Sequence, residues 1–297
     1  MTTPVSFQVI GGTIQRDESN PSFIDTDKAL GFCPPLAWFF TLLTSAIHFA
    51  RMAFSIVWSL PTITIMMKPF VFFLSLTCAF LFVSAANAQE TNVLTALEKE
   101  QGYELLFDGK TVSPEIWQDE KSIAGYPVKN GVIVCNKGGN LVTKKEYGNF
   151  IFRFEFKLPP GGNNGLGIRM PGVNGGYRNG MEIQILDHFA DQYKDIKPYQ
   201  FHGSIYGVVP AKRNPEKHDY LKPVGEWNYE EVIALGPKIM IILNGELIVN
   251  ADISEFKTKP TMDGQTHPGL HREKGSIGFL GHGDPVEFRN IRVKSLD

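Results

Sequence analysis

The stretch Phe150-Ile151-Phe152-Arg153-Phe154-Glu155-Phe156-Lys157-Leu158 places a phenylalanine at every second position. Successive side chains of a β-strand point to opposite faces, so this pattern predicts a strand whose four phenylalanines lie in the core. The run Pro159-Pro160-Gly161-Gly162 ends it. The fold therefore rests on strands with one buried face.

Other short strands with turn signals between them are predicted along the same part of the chain. They cover Tyr103–Phe107, Gly131–Cys135, Asn163–Arg169, Gly180–Asp187, Glu231–Leu235, Lys238–Leu243, Glu246–Asn250, Gly275–Leu280 and Val286–Leu296. Long irregular loops are expected at Asp191–Leu221, which is rich in Tyr and His, and at Ser254–Glu273. Because no long amphipathic helix is visible, the pattern indicates an all-β protein, an antiparallel β-sandwich.

Two of these strands are expected to be neighbours and to share a polar face. Alternation places Glu182 and Gln184 on one side of the second strand, and Gly165, Gly167 and Arg169 on one side of the first. Glycines leave room for a ligand against the backbone. Carboxylate, amide and guanidinium groups suit a polyhydroxylated ligand such as a sugar.

The N-terminal part of the 297-residue chain differs from the rest. A short basic region at Met67-Lys68, the apolar run Val71–Val83 and the small residues Ala86-Asn87-Ala88 form the pattern of a secretory signal peptide. We expect residues 66–88 to be this signal, with cleavage after Ala88, and residues 1–65 to be an over-extended start. The alternative, a membrane segment at Leu36–Ile65, is interrupted by charged residues and proline. Residues 89–101 would form a linker or short helix and residues 102–297 the sandwich domain, secreted or periplasmic.

The charge balance and the cysteine content exclude some classes of binding partner and of catalytic group. The chain has 29 basic and 31 acidic residues, a net charge of −2. This balance points to no nucleic acid partner and no membrane partner for the mature domain. Cys135 is the one cysteine that follows the expected cleavage site, and its strand position predicts a buried apolar residue rather than a catalytic thiol.

Eight motifs in order carry a family resemblance. They are Gly102-Tyr103-Glu104-Leu105-Leu106-Phe107-Asp108-Gly109-Lys110, Gly148-Asn149-Phe150, Asn163-Asn164-Gly165, Glu182-Ile183-Gln184-Ile185-Leu186-Asp187, Gly203-Ser204-Ile205-Tyr206-Gly207, Gly225-Glu226-Trp227-Asn228, Leu243-Asn244-Gly245 and Phe288-Arg289-Asn290-Ile291. Over residues 102–296 the chain resembles the 3-keto-disaccharide hydrolase domain family. The resemblance implies a concanavalin A-like jelly roll, an extracytoplasmic location, and action on or binding of glycosides. Asn164 stands where the family often has Ser, and Gly281 where Asp is common.

The strand that begins at Glu182 also resembles the catalytic strand of laminarinase-like glucanases, which implies Glu182 as nucleophile or base and Asp187 as acid. Gln184 replaces the helper Asp of that strand, which disfavours double displacement. On a 3-keto sugar, a base could instead remove the C2 proton and expel the C1 substituent. The catalytic hypothesis is Glu182 as base, Arg169 as enolate stabiliser, and Asp187 or Tyr206 as acid.

Several alternatives stay open. Arg169 and Glu182 could form a cross-strand ion pair, Asp187 could cap a loop, and Trp227 could be a core residue. The predicted substrate-binding residues are Asn163, Asn164, Gln184, Tyr206, Glu226, Trp227 and His282. The spacing of His188, His202 and His282 matches no standard metal site, so no metal ligand is assigned, although a divalent metal requirement stays open and the cofactor is unknown. The sequence predicts a glycosidase-type hydrolase with a glycoside or oligosaccharide ligand; the alternative is a non-catalytic carbohydrate-binding module.

Overall fold

A computed structural model describes residues 90–119, 126–135 and 139–297. The expected signal peptide and residues 1–65 lie outside this range. Before Gly102, where the sequence left a linker or a short helix open, helix α1 spans Ala96–Glu100, and Thr95 and Glu98 form a capping box at its start. No helix in the described ranges is long and apolar enough to span a lipid bilayer.

In the described parts of the chain, thirteen strands form two antiparallel sheets. The first sheet has the order β11-β10-β9-β6-β13-β4-β3, with β1 also paired to β13, and the second has the order β2-β5-β12-β7-β8. The strands are β1 Glu104–Leu105, β2 Trp117–Asp119, β3 Val128–Lys129, β4 Val132–Cys135, β5 Gly139–Thr143, β6 Phe150–Lys157, β7 Asn163–Met170, β8 Met181–Leu186, β9 Trp227–Leu235, β10 Lys238–Leu243, β11 Glu246–Asp252, β12 Ser276–Gly281 and β13 Val286–Ser295. The predicted class, an all-β concanavalin A-like jelly roll, is confirmed.

The core lies between the two sheets. Phe150, Phe152, Phe154 and Phe156 of β6 are fully buried in it, as their alternation predicted. Phe154 packs edge-on against Phe279 of the second sheet, with ring centroids 5.8 Å apart. The residues that alternate with these buried side chains therefore point to the outer face of their sheet.

Strands β2, β3 and β5 were not predicted. β2 and β3 are only three and two residues long and offer too few alternating positions to signal a strand. In β5 the consecutive residues Leu141, Val142 and Thr143 are all buried, so no alternation is visible. Trp117 of β2 is nevertheless fully buried, and its indole N–H donates to the Leu106 carbonyl. Tertiary packing, rather than a local pattern, makes this segment a strand.

The segment before the sandwich is attached to the eight-stranded sheet. Asn92 Oδ1 accepts a hydrogen bond from the Asn290 N–H at 2.8 Å, and Asn92 Nδ2 donates to the Gly131 carbonyl. Glu98 of α1 pairs with Arg292 of β13 at 2.7 Å. The folded unit thus includes residues that precede Gly102.

Candidate active site

Strands β7 and β8 build the floor of the site. Their ladder pairs Gly165 with Gln184 and Gly167 with Glu182 without a register break. Because directly paired residues share a face, all four lie on the outer face of the five-stranded sheet, while Ile183 faces the core. The predicted shared face of Glu182 and Gln184 with the two glycines is confirmed.

The glycine at position 165 makes space for Glu182 itself. A Cβ at Gly165 would lie 2.8 Å from Glu182 Cγ and would overlap the carboxylate more severely still. The Glu182 side chain therefore folds over Gly165 and is only 5% exposed. The sequence predicted that this glycine leaves room for a ligand, but the Glu182 carboxylate occupies that space.

A cavity of about 160 Å³ opens above this floor. It is lined by Asn163, Tyr177, Glu182, Gln184, Leu186, Tyr193, Ile196, Gln200, Tyr206 and His282. Sequence reasoning named five of these: Asn163, Glu182, Gln184, Tyr206 and His282. It missed Tyr177 and Leu186, and it treated Tyr193, Ile196 and Gln200 only as part of a long loop.

The long loop between β8 and β9 reaches the cavity because β8 is an edge strand. The Tyr206 N–H donates to the Glu182 carbonyl at 2.8 Å, and the Gln184 N–H donates to the Ser204 carbonyl at 3.0 Å. These bonds pair the loop with the free edge of β8 and place the Tyr206 ring beside Glu182. Such pairing between distant residues has no local sequence signal.

Aromatic rings form one wall of the cavity. The Tyr206 ring meets Tyr177 edge-on at 5.3 Å and Tyr199 edge-on at 6.0 Å. Its hydroxyl accepts a hydrogen bond from Gln200 Nε2 at 2.9 Å. Burial raises the pKa of Tyr206, so this phenol keeps its proton at neutral pH and can donate it to a ligand oxygen.

His282 follows directly after β12 and lies at the rim of the cavity. Its Nε2 is 3.7 Å from Glu182 Oε1, and its side chain is 47% exposed. The interaction with the Glu182 carboxylate raises the pKa of His282, because the negative charge favours the imidazolium. The site thus pairs a buried carboxylate with a group able to carry positive charge.

Two amide oxygens in the cavity wall lack partners. Asn163 Oδ1 and Gln184 Oε1 are buried and accept no hydrogen bond, although the Asn163 N–H donates to Asp284 Oδ2 at 2.9 Å. Buried acceptors are normally satisfied. A ligand hydroxyl in the cavity would supply the missing donor, as expected for a sugar site.

Residues 102–294 match the 3-keto-alpha-glucoside-1,2-lyase-like domain family. The chain belongs to this family. It is similar to the 3-keto-disaccharide hydrolase of Bacteroides thetaiotaomicron, with 26% identity over 258 residues that cover 73% of this chain and 86% of that protein.

Two solved structures of candidate glycosyl hydrolases from Parabacteroides distasonis are also similar. One has a TM-score of 0.59 and 27% identity, and the match covers 70% of this chain and 100% of that one. The other has a TM-score of 0.54 and 31% identity, with coverage of 65% and 99%. The family is therefore glycoside hydrolase-like, in agreement with the resemblance found in the sequence.

Within this family domain, Arg169 does not face Glu182, and the prediction that it does is wrong. A register shift between Ser276 and Gly278 of β12 accompanies a left-handed Arg169 (φ 50°) on β7. This bulge re-aims the side chain. The guanidinium donates to the carbonyls of Gly148 at 3.0 Å, Gly236 at 2.7 Å and Arg272 at 3.3 Å.

Arg169 is consequently a structural residue at one end of the sandwich. It is 3% exposed, and burial lowers its pKa from the usual value. No ion pair joins it to Glu182 within the described ranges, so the alternative of a cross-strand pair is also wrong.

Asp187 lies outside the cavity. The β7–β8 ladder continues in register to Asn163 and Leu186, so no bulge turns Asp187 back to the ligand face. Its Oδ2 accepts a hydrogen bond from the Gly161 N–H at 2.7 Å, and its own N–H donates to the Gly162 carbonyl. Asp187 fastens the turn before β7, which is a capping role and corrects its placement as the acid.

Three predicted ligand residues lie elsewhere. Asn164 pairs with Ile185 on the core side and is fully buried. Trp227 lies on the outer face of the eight-stranded sheet, neither in the core nor in the site, with Arg289 Cζ 4.0 Å from its ring centroid. Glu226 is exposed beside it. Trp227 and Glu226 are placed by β9, which belongs to the other sheet.

His188 and His202 anchor the loop that walls the cavity. His188 Nδ1 accepts a hydrogen bond from the His202 N–H at 3.3 Å, and its Nε2 is 3.1 Å from Asp219 Oδ2. His202 Nδ1 accepts from the Leu186 N–H, and its Nε2 lies 3.3 Å from Glu230 in the core. Burial lowers the pKa of His188 to about 4, so its ring is neutral and Nε2 donates to Asp219.

Within the described ranges, no group of three or more His, Cys, Asp or Glu side chains is arranged to hold a metal ion. Cys135 is free and buried, and burial raises its pKa above the usual value. This thiol is therefore inert at neutral pH.

Proposed function

We propose that this domain cleaves 3-keto-glycosides outside the cytoplasm, by elimination of the C1 substituent and hydration of the product. One observation carries the proposal. Among the residues that line the cavity, Glu182 is the single carboxylate, and the wall around it consists of amides, tyrosines and His282. The family and the 3-keto-disaccharide hydrolase relative support the substrate class.

A single carboxylate is enough for this reaction. The C3 ketone acidifies the C2 hydrogen, which Glu182 removes to form an enolate. As the enolate collapses to the ketone, the C1–O bond breaks, and Tyr206 gives its proton to the departing oxygen. Water then adds across the new C1–C2 double bond and completes the net hydrolysis.

The common glycosidase mechanisms need more than the cavity offers. Retention requires two carboxyl groups about 5–5.5 Å apart, and inversion requires about 6.5–9.5 Å. Gln184 holds the position next to Glu182 on the ligand face, and Asp187 is committed to the turn at Gly161. The cavity therefore favours substrates whose own ketone activates them.

The decisive experiment measures release of the leaving group from α- and β-3-keto-glucosides and from their unoxidised parents by residues 89–297. We expect release from the 3-keto compounds alone, and its loss in Glu182→Gln. Glu226→Gln is the matched control, because Glu226 is exposed and outside the cavity. Turnover of the unoxidised parents, or full activity of Glu182→Gln, would overturn the proposal.

A second candidate function is carbohydrate binding without turnover. The observation in its favour is the set of tyrosines in the cavity wall, Tyr177, Tyr193 and Tyr206, since aromatic rings pack well on sugar rings. Saturable sugar binding by calorimetry, together with no turnover of any 3-keto compound, would select this alternative.

Export rests on the sequence pattern of residues 66–88. The basic start, apolar run and small-x-small end support cleavage after Ala88. N-terminal sequencing of the exported protein tests this, and we expect Gln89 as the first residue. A mature protein that retains the apolar run would contradict it.

A further inference from the structure

The enolate of the proposed reaction needs a cation or a strong donor at its oxygen. In a buried site an unpaired oxyanion is costly, and preorganised positive charge is the usual remedy. Arg169, the candidate from the sequence, points its guanidinium at backbone carbonyls at one end of the sandwich. The positive charge at the enolate oxygen must therefore come from another residue.

One residue in the cavity wall can supply this positive charge. The lining contains no Lys and no Arg, and His282 is its single group able to become a cation. The Tyr206 hydroxyl is already assigned to protonation of the leaving group, and the Tyr193 hydroxyl donates to the Gly161 carbonyl at 3.3 Å. Gln184 and Asn163 present unpartnered oxygens, which repel an oxyanion. Since no other lining group can carry a positive charge, the imidazole is the group best suited to stabilise the oxyanion.

The position of His282 fits the geometry of a ketone next to its acidic carbon. Its Nε2 is 3.7 Å from Glu182 Oε1. In a 3-keto sugar, the carbonyl oxygen and the C2 hydrogen are on adjacent carbons. A carboxylate at C2 and an imidazolium at the carbonyl oxygen must therefore be near neighbours, as these two side chains are.

We propose that His282, as the imidazolium, is the catalytic residue that stabilises the enolate oxygen. This inference rests on the proposed function. When Glu182 takes the C2 proton, the C–H electrons form the C2–C3 double bond and the carbonyl π electrons move to the oxygen. The negative charge passes from the carboxylate to the enolate, and both lie against the same cation. Collapse returns the electrons, and the leaving group departs with a proton from Tyr206.

The surroundings favour the charged ring. Glu182 on β8 and Asp284 after β12 are the charged groups that act on it, and both are negative. The other titratable lining groups are Tyr177, Tyr193 and Tyr206. Activity should therefore require a protonated His282, and it should decline at alkaline pH as the ring loses its proton.

The test separates enolate formation from departure of the leaving group. The probe is 1,5-anhydro-3-keto-glucitol, which has the ketone and the C2 hydrogen but no leaving group at C1. Deuterium uptake at C2 from D₂O is followed by NMR, beside kcat and KM on a 3-keto-glucoside across pH. The variants are His282→Gln, His282→Arg and the control His271→Gln, whose residue is exposed and outside the cavity.

We expect His282→Gln to slow both C2 exchange and kcat by about 10²-fold, with little change in KM and with no alkaline decline. His282→Arg, a permanent cation, should recover part of the activity and move the alkaline decline to higher pH. His271→Gln should match the wild type, which shows that loss of a histidine is not itself the cause.

Three results would overturn the inference while the proposed function stands. They are wild-type kcat with an unchanged alkaline decline in His282→Gln, a rise in KM alone, and slower elimination with normal C2 exchange. The last would assign His282 to the leaving group. If the wild type itself neither exchanges C2 nor turns over any 3-keto-glucoside, the proposed function fails, and the inference fails with it.

Discussion

The carboxylate of Glu182 on β8 lies over the backbone of Gly165 on the neighbouring strand β7. Gly165 is paired directly with Gln184, so Glu182 reaches it diagonally across the sheet. A single added methyl group at position 165 would meet the Glu182 side chain. The absence of a side chain at one residue therefore sets the position of the carboxylate on the next strand.

Gly165→Ala should displace Glu182 without unfolding the sandwich. A misplacement of about 1 Å can cost 10²-fold in rate, and we expect a loss of about that size in kcat/KM on 3-keto-glucosides. Gly176→Ala is the control, since a Cβ there meets nothing within 4 Å and its φ is −65°. Equal activity of the two variants would show that the position of Glu182 is not limiting.

Asp187→Asn should leave turnover within about tenfold of the wild type, since the side chain fastens a turn and lies outside the cavity. Asp187→Ala should lower the free energy of unfolding by about 1.5–3 kcal/mol, the value of a hydrogen bond to a charged group. Urea unfolding and turnover of the folded protein provide the two readouts. A 10³-fold drop in kcat for Asp187→Asn would restore Asp187 as the acid.

Arg169→Met should destabilise the fold and spare the chemistry. The change leaves the carbonyls of Gly148 and Gly236 without their donor, so we expect the free energy of unfolding to fall by about 3 kcal/mol. Arg169→Lys should be intermediate, because an ammonium cannot reach several carbonyls as the planar guanidinium does. Normal stability with a large loss of turnover would contradict this assignment.

His188 should make the protein less stable in mild acid. Burial lowers its pKa from 6.5 to about 4, so between these values the unfolded chain binds a proton that the folded protein does not. Stability is therefore complete above pH 6.5 and falls as the pH drops towards 4, by up to about 3 kcal/mol. The pKa of Asp219 is lowered from 3.8, so its own contribution is lost only below this window.

Urea unfolding from pH 4 to pH 7 measures this dependence, with His188→Gln as the comparison. The variant should show a flatter curve in this range, even if its stability at pH 7 is lower. A slope equal to that of the wild type would assign the acid sensitivity to other groups.

Local alternation accounts for most of the successful strand predictions. Phe150 to Phe156 and Met181 to Ile185 have enough period-2 positions to predict both a strand and its buried side. Asn244-Gly245 predicts the β10–β11 turn, since both residues adopt positive φ, 49° and 89°. Strands of two or three residues, such as Val128–Lys129, have no such signal.

The sequence predicted the site residues only where side chains alternate regularly along a strand. Glu182 and Gln184 follow from alternation, but Arg169 was misplaced because a bulge breaks the alternation on β7, and a bulge depends on the pairing with β12. Trp227 was misplaced because the sequence does not say to which sheet β9 belongs. Tyr177 was missed because its segment joins the site through contacts with distant residues.

The sequence by itself determined the all-β class, the buried phenylalanine face, the family, and the polar face that carries Glu182. These features depend on local periodicity and on motifs in fixed order along the chain. Only the tertiary structure decided that Glu182 stands alone as the carboxylate of the cavity, with His282 3.7 Å away and Tyr206 brought in along the edge of β8. The physical reason is that register breaks, edge pairing and sheet membership arise from contacts between residues far apart in the chain.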